Sequence, residues 1–509
     1  MESTGQNNSK ERNTSQSYST AQSVGLALGP FLFAVTLLFF DPEGLSFEGR
    51  AVLATTLWIA CWWITEAVPI PATSLLPIFL LPLTGALDSV TVTSSYGDDI
   101  IFLFLGGFFI ATAMEKWNLH KRMALAIIAF VGTSTQRILL GFMLATAFLS
   151  MWVSNTASVM MMVPMALAIT AQVASALKGT PEERDLPVFE KSLIFGVGYA
   201  GTIGGIGTLI GTPPNIILAA QARELFGVEI TFAGWMMIGV PVVILLLGIA
   251  WVYLGRFAFR MRIHELPGGR ELIRKERDAL GRTSFEEKVV ASVFAFAAFM
   301  WITRGFIWAD LLPEIRDGMI AVFAAVILFI MPASSRQAPR VLDWNDAVKI
   351  PWGILLLFGG GLAIASGFRE TGLSEWIGTQ LTVLEGMHLI IIVSCATLLI
   401  LFLTEITSNT ATATMILPVV AALALALNIH PFALMIPCAM AANCAFMLPV
   451  GTPPNAIIFA TNKLTILDMV RTGFLMNLIA VVMIVLMIYF LVPALWGIDL
   501  TTVPAAFRL

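Results

Sequence analysis

Long apolar runs separated by short polar gaps dominate the chain. Runs near 24–40, 51–68, 74–87, 100–115, 193–222 and 232–254, and after a charged gap near 285–303, 316–331, 351–368, 432–460 and 472–496, predict eleven membrane spans. Two further apolar stretches, 136–170 and 388–425, fit a single straight helix poorly. At 1.5 Å per residue, about 35 residues overshoot a hydrocarbon core of roughly 30 Å. Each carries Ser-Asn-Thr in its middle, so two short helices turning back at that point, a re-entrant hairpin, are expected. Such a tip is tolerated at membrane depth only when it is buried in protein or lines a cavity.

The polar interruptions come in pairs. SNTA at Ser154–Ala157 is followed by GTPPN at Gly211–Asn215, and SNTA at Ser408–Ala411 by GTPPN at Gly451–Asn455. The register holds well beyond the motifs. Gly106, Gly107, Ile110 and Ala111 recur 254 positions later as Gly360, Gly361, Ile364 and Ala365, and Ser150 recurs as Thr404. From SNTA to GTPPN the first copy is 57 residues and the second 43, and the extra length is expected in the polar stretch Lys178–Pro187. Duplication on this scale in an apolar chain is the mark of a transporter built from repeats, with its site where the repeats meet.

Gly-Thr-Pro-Pro breaks a helix, because each proline removes an amide donor and glycine relaxes the backbone. The carbonyls freed at a break suit a bare cation, and the amides and dipole at a half-helix N-terminus suit an anion. Serine, asparagine and threonine at the hairpin tips can donate to a carboxylate or coordinate sodium through oxygen. A single copy of GTPPN reads equally as an interhelical loop, and SNT alone as polar helix packing. Two copies of both in fixed order favour a site. Glu66, Glu115 and Glu405 lie in or beside apolar runs. Glu405, three residues before Ser408, is open to two roles, electrostatic support for a cation or a structural partner for backbone amides. No Lys or Arg falls in either motif region, so a bound dianion would rest on helix ends, neutral donors and accompanying cations.

Charge sets the orientation. Nine Lys or Arg residues fall between Gly255 and Lys288, which the positive-inside rule places in the cytoplasm. Six spans before this loop and five after it put the N-terminus inside and the C-terminus outside, so the repeats are inverted. The expected organisation is a disordered cytoplasmic tail (1–23), a first span outside the repeat (24–48), a first repeat (49–254), a basic cytoplasmic loop (255–284), a second, inverted repeat (285–496) and an extracytoplasmic tail (497–509). The 509 residues are 58% hydrophobic and 12% charged, about half the charge of an ordinary soluble domain, with mean hydropathy +0.86. A net charge of -4 gives no reason to expect nucleic-acid binding. Cys61, Cys395, Cys438 and Cys444 lie in apolar segments without zinc spacing and read as buried small hydrophobes. The four histidines are scattered, so neither a metal site nor an enzyme is expected, and Ser154 has no nearby base to act as a nucleophile.

WWITEAVPIPATSLLP at Trp62–Pro77, SMWVSNTA at Ser150–Ala157, GTLIGTPPN at Gly207–Asn215, TEITSNTATA at Thr404–Ala413 and GTPPN at Gly451 together resemble the divalent anion/sodium symporters, over nearly the whole chain after the polar tail. The resemblance implies an all-α polytopic protein of about eleven transmembrane helices, each repeat holding five spans and a re-entrant hairpin. It also implies a homodimer and an elevator mechanism. By resemblance, Ser150, Ser154, Asn155 and Gly211 line one sodium site, and Thr404, Thr407, Asn409 and Gly451 the other, Thr407 and Gly451 through backbone carbonyls. Ser154, Asn155, Thr156, Thr212, Ser408, Asn409, Thr410, Thr452 and Pro453 contact the substrate. Segments after Glu115 and after Arg369 are expected as amphipathic interfacial helices. The implied function is sodium-coupled symport of C4 dicarboxylates across the plasma membrane, with exchange without net sodium coupling, or symport of citrate or sulfate, as alternatives.

Overall fold

A computed structural model of the chain describes residues 18–132, 134–260, 269–308, 311–334, 338–381 and 386–507. The expected N-terminal tail lies outside the described residues at 1–17, and the basic loop does so at 261–268. Among the described residues the chain is helical, without a β-strand. Among the described residues, eight helices are long and apolar enough to cross a membrane. Two of these, Asn155–Leu177 and Asn409–Ala426, are second arms of the two hairpins rather than members of the eleven predicted runs. The first helix, Thr20–Phe39, starts before the expected position 24, because Ser19 and Gln22 form a capping box. The run at 74–87 forms the helix Leu76–Leu83, with Pro77 in its first turn, and a separate short turn of helix, Ile70–Thr73, precedes it after Pro69.

Each repeat contributes the same four pieces in the same order. The first hairpin is Thr135–Ser150 and Asn155–Leu177, and the second is Leu389–Thr404 and Asn409–Ala426. The first broken helix runs Leu186–Gly204 and resumes at Pro213–Phe226; the second runs Phe432–Asn443 and resumes at Pro453–Ala460. The extra length of the first copy is not confined to Lys178–Pro187. Its second hairpin arm has 23 residues against 18, and the first half of its broken helix 19 against 12, so the added turns lengthen helices as well as the linker.

Repeated glycines allow close packing. A methyl group at Gly106 would lie 2.5 Å from the Ala321 carbonyl carbon, and one at Gly360 would lie 2.5 Å from the Ser74 oxygen. Both are backbone contacts that no rotamer change relieves, so helices Asp99–Lys116 and Trp352–Glu370 must keep glycine there. The repeats then interlock. Pro213–Phe226 packs on the second hairpin, where Gln221 Nε2 donates to Thr414 O at 3.1 Å, and Pro453–Ala460 packs on Asn155–Leu177 of the first.

Short helices, Leu119–Val131 and Leu373–Gln380, follow Glu115 and Arg369 as expected. The basic stretch, expected as a loop, contains the helix Gly269–Ala279. Strong helix formers and a buried Ile273 account for it, and Glu276 pairs with Lys121 at 3.2 Å. Cys61, Cys438 and Cys444 are buried, but Cys395 is exposed on the outer face of the second hairpin, which corrects its expected burial.

Candidate functional site

Four helix N-termini converge on one cavity of about 890 Å³. Ser154 caps Asn155–Leu177, its Oγ accepting from the Ala157 amide at 3.2 Å, and Ser408 occupies the same position on Asn409–Ala426. Thr212 and Thr452 precede the resumed halves of the broken helices in extended backbone, φ -148° and -153°, with proline opening each helix. Proline suits that position because its φ is already helical and the missing amide has no partner there. Both triplets, Ser154-Asn155-Thr156 and Ser408-Asn409-Thr410, line the cavity with Thr212, Thr452 and Pro453. All nine residues expected to contact substrate therefore share one space, drawn from both repeats.

Two oxygen clusters lie beside it. In the first, Ser150 Oγ, fully buried, sits 2.6 Å from Asn155 Oδ1 and 2.5 Å from Gly201 O, with one proton to share between them. In the second, Thr404 Oγ1, equally buried, sits 2.7 Å from Asn409 Oδ1 and 2.8 Å from Ala442 O. Gly211, Thr407 and Gly451 line the cavity, whereas Ser150 and Thr404 stand behind it. The Thr407 hydroxyl bonds Leu403 O and Thr412 Oγ1, which leaves its backbone carbonyl as the group available for a ligand. Hydroxyl, amide and carbonyl oxygens are the donor set of a hard cation.

The breaks are braced by groups that the motifs alone do not identify. Asn215 Nδ2 lies 2.9 Å from Gly205 O and 2.8 Å from Thr208 O, and Asn455 Nδ2 lies 3.0 Å from Ala445 O and 2.9 Å from Leu448 O. The last residue of each GTPPN is thus a staple across its own break. Glu405 has the structural one of its two open roles. Its Oε1 accepts from the Phe446 and Met447 amides at 2.8 and 2.9 Å and from Asn477 Nδ2 at 2.7 Å, and its Oε2 accepts from the Leu448 amide at 2.9 Å. The first repeat has Met151 at the matching position. There the Thr208 hydroxyl does the bracing, donating to Met151 O and accepting from the Gly211 amide at 3.1 Å.

Among the described residues no Lys or Arg lines the cavity, and the one charged lining residue is Glu66, at the end near Ser19 and Gln22. Helix termini stabilise an anion by up to about 2 kcal/mol each in partly buried sites, while desolvation costs several kcal/mol per charge. Four termini therefore offset roughly the cost of one dianion, and cations in the oxygen clusters would tip the balance. Sequence reasoning missed the walls Phe104, Phe108, Pro351 and Ile354, and the buried Asn443, because no local motif marks them.

Comparison with known proteins matches residues 21–498 to the family described as sodium:sulfate symporter transmembrane region. The chain is 56% identical over 490 residues to the sodium-dependent dicarboxylate transporter SdcS of Staphylococcus saprophyticus, covering 96% of this chain and 94% of that one. It is 55% identical over 487 residues to SdcS of Staphylococcus aureus USA300, covering 95% and 94%. Among solved structures, MtrF of Neisseria gonorrhoeae aligns with a TM-score of 0.54 at 11% identity over 92% of this chain and 94% of that one. The YdaH transporter of Alcanivorax borkumensis aligns at 0.51 and 11%, over 88% and 99%. At that identity the two structures speak to the fold alone.

Proposed function

The chain belongs to the sodium:sulfate symporter transmembrane family, and from that membership we propose that it is a sodium-coupled symporter of C4 dicarboxylates such as succinate, malate and fumarate. The observation that carries this reading is the meeting of four helix N-termini from two repeats around a cavity that no basic side chain among the described residues lines, with an oxygen cluster beside each hairpin tip. One sodium ion would be held by Ser150, Ser154, Asn155 and Gly211, the other by Thr404, Thr407, Asn409 and Gly451. The two carboxylates would then span the SNT triplets, receiving hydrogen bonds from Thr212, Thr452 and the first-turn amides, beside Pro453. Cations bind first, because the helix ends alone only about balance the cost of burying the anion and the cations tip it toward binding.

The cavity runs to Ser19 and Gln22 at the start of the first helix. With the N-terminus cytoplasmic, this is an inward-open arrangement in the plasma membrane, and release to the other side requires moving the whole site. An elevator motion of the hairpins and broken helices against the remaining helices, within a homodimer, meets that requirement. Labelled succinate uptake into proteoliposomes tests the proposal. Uptake is expected to collapse when choline replaces sodium, and Asn155→Ala and Asn409→Ala are each expected to weaken it at least about tenfold, as loss of a ligand to a charged group implies. Uptake indifferent to sodium would overturn symport, and wild-type uptake by either variant would overturn the site.

A further inference from the structure

Asn443 is the last residue of Phe432–Asn443, in the second repeat, yet its side chain bonds to the first. Its Nδ2 donates to Thr202 O at 2.6 Å, while its Oδ1 accepts from Thr212 Oγ1 at 2.7 Å and from Asn155 Nδ2 at 3.4 Å. The side chain is fully buried. A carbonyl such as Thr202 O can receive only the NH₂ end of the amide, so Asn443 cannot turn over without setting oxygen against oxygen. Its Oδ1 is thereby committed to Asn155 and Thr212.

Asn155, by contrast, has two competing orientations. With Oδ1 toward Ser150 and Gly201, it offers an oxygen to the first cluster and its Nδ2 to Asn443. Turned over, its nitrogen would donate to Ser150 Oγ at 2.6 Å, Gly201 O at 3.2 Å and Gly211 O at 3.1 Å. That second orientation fills the oxygen cluster with amide protons and leaves no seat for a cation. We propose that Asn443 is the positioning residue that holds the Asn155 amide with its oxygen toward the first cation seat, and that its shared Oδ1 ties this seat to the Thr212 hydroxyl. The proposal rests on reading Asn155 as a cation ligand. The two GTPPN motifs align Asn443 with Ile203, so the second cluster has no counterpart and the two seats are unequal.

The test measures the sodium concentration that half-stabilises the purified full-length protein against heat, a readout that survives loss of uptake. Asn443→Ala is expected to raise that concentration about fivefold, the effect of one net hydrogen bond. In an Asn155→Ala background, Asn443→Ala should add no further shift, whereas a merely structural role would shift both backgrounds alike. If Asn443→Ala is not recovered folded, Asn443→Ser, whose hydroxyl is too short to span the same partners, carries the same expectation. A wild-type sodium response in the alanine or serine variant, or an equal shift in both backgrounds, overturns the proposal. A wild-type response in Asn155→Ala alone instead overturns the reading of the site on which it stands.

Discussion

Glu405 shows what a buried carboxylate needs in an apolar chain. Three backbone amides and the Asn477 side chain satisfy it, in a stretch where the broken helix leaves donors without carbonyl partners. Glu405→Gln can keep its oxygen on the Phe446, Met447 and Asn477 donors, but its NH₂ group then faces the Leu448 amide, which needs an acceptor. It is expected to destabilise the protein by about 1.5–3 kcal/mol, the worth of a hydrogen bond to a charged group. Thermal unfolding in detergent measures this, and an unchanged midpoint would remove the bracing role. At this scale the sequence showed the residues that interrupt apolar runs, which is why the SNT triplets and the threonines of GTPPN were legible. It did not show Asn443, whose partners at 155, 202 and 212 come near only after two repeats have folded together.

Among the elements, the hairpins and broken helices were readable because length and proline leave few alternatives. The helix Gly269–Ala279 was not, since positive charge marks a side of the membrane and says nothing of local order. The glycines repeated at a spacing of 254 were visible as a pattern, but their cause, an opposing backbone, belongs to tertiary structure. Gly106→Ala and Gly360→Ala are each expected to cost about 1–3 kcal/mol, the range for overpacking. Gly248→Ala, with open space around it in Phe232–Val252, serves as the control and should be neutral or stabilising. Equal unfolding midpoints for Gly106→Ala and Gly248→Ala would mean that the close approach is not needed.

Over the whole molecule, interlocking matters more than the repeat itself. Each broken helix resumes against the other repeat's hairpin, so neither half can complete a cavity wall alone. That division leaves the anion facing helix ends, which carry no proton to lose, with Glu66 apart from them at the Ser19 end of the cavity. A transporter that used lysine or histidine there would show an acid–base profile of its own; here the profile should belong to the cargo. Uptake of two dicarboxylic acids with different second ionisations should fall off with acidity at two different midpoints, each following its own acid. A common midpoint for both would place a titrating group of the protein in the path after all.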